Sequence, residues 1–112
     1  MTIQSPGVFK VGDGEQISVT VGSDVGPFGV SYRLKRESGA TDIGNLGNGV
    51  AFTFAVAAPD TFAELILAFQ FPNTPQTYHV VISGAGGGLF TDQVSGGGNI
   101  SDTGRRYIFS TV

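Results

Sequence analysis

Apolar residues recur at every second position in run after run of this chain. That period describes β-strands with one face on a core and the other toward solvent. In Gln16–Val21, Ile17, Val19 and Val21 share one phase, and Gln16, Ser18 and Thr20 the other. Val30, Tyr32 and Leu34 oppose Ser31, Arg33 and Lys35. Phe52, Phe54 and Val56 oppose Ala51, Thr53 and Ala55. Tyr78, Val80 and Ile82 oppose Thr77, His79 and Val81, and Arg105–Val112 is a final strand. Half-solvated alternation of this kind belongs to antiparallel sheets.

Between the runs lie VGDGE, SDVGPFG, ESGATDIGNLGNG, AAPD and FPNTPQ, rich in the glycine, proline, Asn and Asp of turns. Short strands at this spacing predict an all-β fold: a single-domain antiparallel β-sandwich over residues 1–112, immunoglobulin-like or jelly-roll-like, with about seven or eight strands. A chain of 112 residues buries roughly two-thirds of its unfolded surface, enough for one core, and nine phenylalanines help fill it.

One segment carries two signals. Thr61 and Glu64 are spaced as a helix capping box, and Phe62, Leu65, Ile66 and Phe69 fit a helical stripe. Ala63, Leu65, Leu67, Phe69 and Phe71 also alternate strictly. A short helical turn near 59–63 leading into a strand reconciles the two. The segment is apolar on both phases, so it is either a central strand or an interface with Ile66 and Ala68 covered by a partner.

Composition narrows the function. Six Lys and Arg against nine Asp and Glu give a net charge of −3, which does not suit nucleic-acid binding or a polybasic membrane anchor. Without cysteine there are no disulfides, thiolate nucleophiles or cysteine metal sites. No stretch approaches the roughly 18 apolar residues of a membrane span. The segment MTIQSPGVFK has neither the basic nor the apolar region of a signal peptide. The chain is therefore expected to be cytoplasmic, or a secreted or cell-surface module whose leader has been removed.

The stretch GAGGGLFTDQVSGGGNISDTG, residues 84–104, holds eight of the eighteen glycines and repeats a Gly-Gly-Gly…Asp unit after ten residues. It lacks the third glycine, the following helix and the Lys-Ser/Thr pair of phosphate-binding loops. It also departs from the calcium β-helix repeat in spacing and at Phe90 and Ile100. One metal geometry is conceivable. If Leu89–Val94 and Ile100–Gly104 form a hairpin with Val94 opposite Ile100, then Asp92 faces Asp102, and a hard cation such as Ca2+ would offset the like charges. Otherwise both Asp residues are turn formers and no cofactor is implied.

Enzymatic signatures are sparse. His79, the one histidine, lies mid-strand on the polar phase with no nucleophile elbow nearby. Asp13, Glu15, Asp42, Asp60 and Glu64 form no evident glycosidase pair. Binding candidates are Phe28, the aromatic placed in a turn, with loop residues Asn45, Asn48, Asn73, Gln76 and Asn99. Arg105 and Tyr107, sharing a phase with Phe109, form a basic-aromatic group of the kind enriched at interfaces. Arg33, Lys35 and Arg36 project from another strand, as interface or as edge defence. The sequence thus predicts a non-catalytic binding or interaction module, using loops for carbohydrate or another protein. The alternative is a structural or homo-oligomerising protein using a sheet face or edge, with a hydrolase third.

Overall fold

The computed structural model describes residues 2–25, 27–71, 75–97 and 101–112, with the backbone alone at 2, 101 and 102. Nine strands run in order: β1 (Thr2–Lys10), β2 (Gln16–Gly22), β3 (Val30–Arg36), β4 (Thr41–Asn45), β5 (Phe52–Ala55), β6 (Phe62–Phe71), β7 (Gln76–Gly84), β8 (Gly87–Gly96) and β9 (Ser101–Ser110). One sheet has five strands in the order β1-β9-β6-β3-β4. The other has four, β5-β2-β7-β8. All pairings are antiparallel except β1 with β9. The fold is an all-β sandwich, with no helix among the described residues.

The inward phases are those the alternation picks out. Ile17, Val19, Val21, Leu34, Leu65, Leu67, Phe69, Tyr78, Val80 and Ile82 are all fully buried between the sheets. Truncating such a side chain, Leu65→Ala for example, costs about 2–5 kcal/mol.

The double signal at 61–71 resolves as strand throughout. No helical turn forms at 59–63. Residues 57–60 instead make a turn closed by Asp60 N–H to the Ala57 carbonyl. The capping box that Thr61 and Glu64 could have made does not form. Glu64 bonds Arg106 across the strand pair, and the Thr61 N–H donates to Glu37 Oε1 at 2.7 Å. The β-partners on both sides, β3 and β9, supply the backbone bonds that a helix would have supplied internally.

Strands the alternation did not reveal account for the higher count. β4 lies inside ESGATDIGNLGNG, and β1 contains Ser5-Pro6, where its register with β9 shifts between Gln4 and Gly7. Two glycines within strands serve close packing, not turning. A Cβ on Gly44 would stand 2.8 Å from the Tyr32 ring, and one on Gly96 would stand 2.9 Å from the Phe71 ring. Glycine in a strand often marks such an approach.

Each sheet edge is blunted against pairing. β5 is only four residues long, and β1 carries the Pro6 irregularity. β4 and β8 each hold an Asp in the inward phase: Asp42 opposite buried Leu34, and Asp92 opposite buried Val80. Each meets an arginine, Arg36 at 2.9 Å and Arg105 at 3.1 Å. Inward charges on edge strands are a known barrier to edge-to-edge association.

Candidate functional site

The sandwich has two loop ends and two outer faces. At the first end, where β2, β4, β6 and β8 finish, Ser23, Val25 and Pro27 surround the Gln76 amide. Gln76 is 3 % exposed, and its Nε2 approaches Ser23 Oγ at 3.0 Å, the Val25 carbonyl at 2.7 Å and the Pro27 carbonyl at 3.0 Å. Its Oε1 is buried without a hydrogen-bond partner among the described residues. The Tyr78 hydroxyl donates to the Gln70 carbonyl at 2.7 Å and accepts from the Gly29 N–H at 3.1 Å. These bonds fix the loop to the sheets.

The predicted ligand residues at this end are largely spent on that scaffold. Phe28 is half-buried, packed edge-on to Tyr78 with centroids 5.5 Å apart. Asn48 uses both ends of its amide on the Ser23 backbone. Asn45, at the exposed end of β4, joins Phe28, Ser31, Leu46 and Gln70 around a surface cavity of about 350 Å³. Asn73 and Asn99 lie outside the described residues.

Asp92, Arg105 and Tyr107 come together, but not as forecast. β8 pairs with β7 and β9 with β6 and β1, so among the described residues the hairpin on which the metal geometry depended does not form. Asp92 stands opposite Val80 in one sheet, and Asp102 pairs with Gln70 in the other. The side chain of Asp102 lies outside the described residues. The carboxylate of Asp92 instead receives Arg105 Nε across the gap between the sheets, beside Phe9 and Phe90, whose rings are 5.2 Å apart. No group of three or more His, Cys, Asp or Glu is gathered for a metal among the described residues.

Arg105 does share a phase with Tyr107 and Phe109, yet that phase points inward, and both rings are fully buried. The expectation of an exposed basic-aromatic face at β9 is therefore overturned. Burial, and then the negative charge of Asp92, push the Tyr107 hydroxyl well above the usual phenol range, with Arg105 opposing. Asp92 raises it by its charge and by its approach as a hydrogen-bond acceptor, although among the described residues no hydrogen bond of good geometry closes on the hydroxyl.

At the opposite end, four carboxylates lace the loops together. Asp13 accepts from the Ala58 N–H, Glu15 from those of Gly12 and Ala85, Glu37 from Thr61, and Asp60 from Ser38. They are loop ties spread over four connections. His79 is exposed on β7 opposite Gln93 and Gly22, neighbours with no nucleophile among them.

The outer faces differ sharply. That of the four-stranded sheet presents Ser18, Thr20, Thr53, Thr77, His79 and Gln93 among similar residues, with no Asp, Glu, Lys or Arg in that phase of the paired strands. Its large aliphatic residues are Val81, 46 % exposed, and, beside the β8 irregularity, Leu89, 36 % exposed. That of the five-stranded sheet runs Val8-Ile108-Glu64-Lys35-Thr41 in one cross-strand row. The next row is Arg106-Ile66-Arg33-Ile43. Ile43 is 76 % and Val8 65 % exposed, and Ile3 is also open to solvent. Ile66 and Ala68 are half-buried by their neighbours on the sheet. The sequence hid this patch because Val8 and Ile43 sit in the two strands masked by proline and glycine. The isoleucine in phase between Asp42 and Gly44 was the one available signal.

The chain is thus a β-sandwich with one aliphatic and cationic outer face. It has no significant match among protein-family models, curated proteins or solved structures.

Proposed function

We propose that the protein is a non-catalytic interaction module that docks, through the outer face of its five-stranded sheet, onto a second copy of the chain. One observation carries this reading: exposed Val8 and Ile43, with Ile66 and Ile108 between them, place aliphatic side chains on four of the five strands, interrupted on β3 by Arg33 and Lys35, while the other outer face is hydroxyl-rich and uncharged. Contiguous exposed apolar surface rimmed by polar groups marks interaction sites. The blunted edges favour a face over a strand-to-strand contact. Light scattering over a concentration series tests it. Association is expected for the native chain and for Val81→Lys, and its loss for Ile43→Lys. A strict monomer at every concentration would refute it.

A second reading rests on the cavity shared by Phe28 and Asn45, which offers an aromatic edge and an amide to a small polar ligand such as a sugar. Amide-resolved titration with mono- and disaccharides tests it. Shifts confined to Phe28, Ser31, Asn45 and Gln70 are expected, and unshifted spectra at high sugar would remove it.

A further inference from the structure

The same outer face is cationic in a chain of net charge −3. Lys10, Arg33, Lys35 and Arg106 lie in its phase, and Glu64 is the one carboxylate there among residues whose side chains are described. Glu64 is taken by Arg106, and among the described residues no ion pair forms to Lys10, Arg33 or Lys35. Docking two such faces against each other would set like charges together, which is costly across an interface.

The molecule also carries a complementary surface. The far loop end holds Asp13, Glu15, Glu37 and Asp60, and their hydrogen bonds go to backbone N–H groups and hydroxyls, not to cations. Those bonds hold the carboxylates in place, and among the described residues none of the four makes an ion pair. Arg36 at this margin is occupied by Asp42.

We infer that, if the face takes a second copy as proposed above, it takes that copy's acidic loop end. The contact is then head-to-side. A heterologous contact of this kind propagates into rings or filaments and does not close as a two-fold dimer. Arg33 and Lys35 meet the carboxylates, and Ile43, Ile66 and Val8 pack beside them.

Mixing distinguishes this from any symmetric face-to-face contact. Arg33→Glu/Lys35→Glu ruins the face and keeps the acidic end. Asp13→Asn/Glu37→Gln/Asp60→Asn ruins the end's charge while keeping each acceptor oxygen. Each variant alone is expected to be monomeric by light scattering, and an equimolar mixture should form a capped one-to-one complex. Raising salt from about 0.01 M to about 1 M, which shortens the Debye length from roughly 30 Å to roughly 3 Å, should dissolve native assemblies. If the charge-reversed face fails to fold, Arg33→Gln/Lys35→Gln serves in its place. Native assemblies that persist when the acidic end is neutralised, or a mixture that stays monomeric, would overturn the head-to-side contact and leave the docking face standing. A native chain that never associates would overturn both.

Discussion

Replacing Asp92 by Ala leaves the Arg105 guanidinium, only 13 % exposed, with the Gly104 carbonyl as its remaining partner at 3.2 Å. Removing one member of a buried pair strands the other charge in a poorly solvated place, at about 3–5 kcal/mol for full burial. Asp92 is 22 % exposed, so water reaches the site and relieves part of that cost. A loss of about 2–3 kcal/mol follows, in the range of hydrogen bonds to charged groups. For a chain of this length that lowers Tm by roughly 10 °C, at about 4 °C per kcal/mol. Asp42→Ala is the internal control. It removes the same kind of inward Asp from the other edge strand, but Asp42 is 55 % and Arg36 25 % exposed. An exposed pair contributes about 0–1 kcal/mol. Pairing Asp92→Ala with Arg105→Met in a double-mutant cycle by urea denaturation should give a coupling of about 1–2 kcal/mol. Equal losses at Asp92 and Asp42, or a coupling near zero, would refute the idea that burial between the sheets sets the strength of this bridge.

Other outcomes follow from the same structure. The Tyr107 phenol ionises at higher pH in the folded than in the unfolded chain, so stability is fully present below roughly pH 10 and falls as pH rises beyond it. Tyr107→Phe should remove that alkaline decline in urea titrations. It should also cost under about 1 kcal/mol at neutral pH, because among the described residues the hydroxyl makes no hydrogen bond of good geometry. Gly44→Val drives a side chain into the Tyr32 ring, which stacks on Phe52 at 4.3 Å, and should cost about 1–3 kcal/mol by thermal melting. Millimolar calcium should leave Tm unchanged, since Arg105 already holds Asp92. A rise in Tm that Asp92→Asn abolishes would contradict this.

The core was legible because alternation alone assigns Ile17, Val19, Leu65, Val80 and their neighbours to one face, whatever they pack against. Pairing was not legible. Adjacent runs are commonly neighbours in space, which made 89–94 and 100–104 look like a hairpin. Yet β8 was already matched to β7, leaving β9 to cross to the other sheet. The phase of Arg105 was readable, but its direction was not, because the carboxylate that makes an inward arginine tolerable comes from the opposite sheet. Gln76 looked like a loop amide for the same reason. The acceptors that justify burying it lie about fifty positions away in Ser23–Pro27. The outer aliphatic patch needs strand order, since it joins Val8 to Ile43 across three intervening strands.

Which face is covered can be read directly from methyl NMR with a soluble paramagnetic agent, comparing dilute with concentrated protein. The methyls of Val8, Ile43, Ile66 and Ile108 should become protected as concentration rises, while Val81 on the other face stays accessible. Broadening of Ile43 and Val8 as strong as that of Val81 at every concentration would contradict docking through the five-stranded sheet.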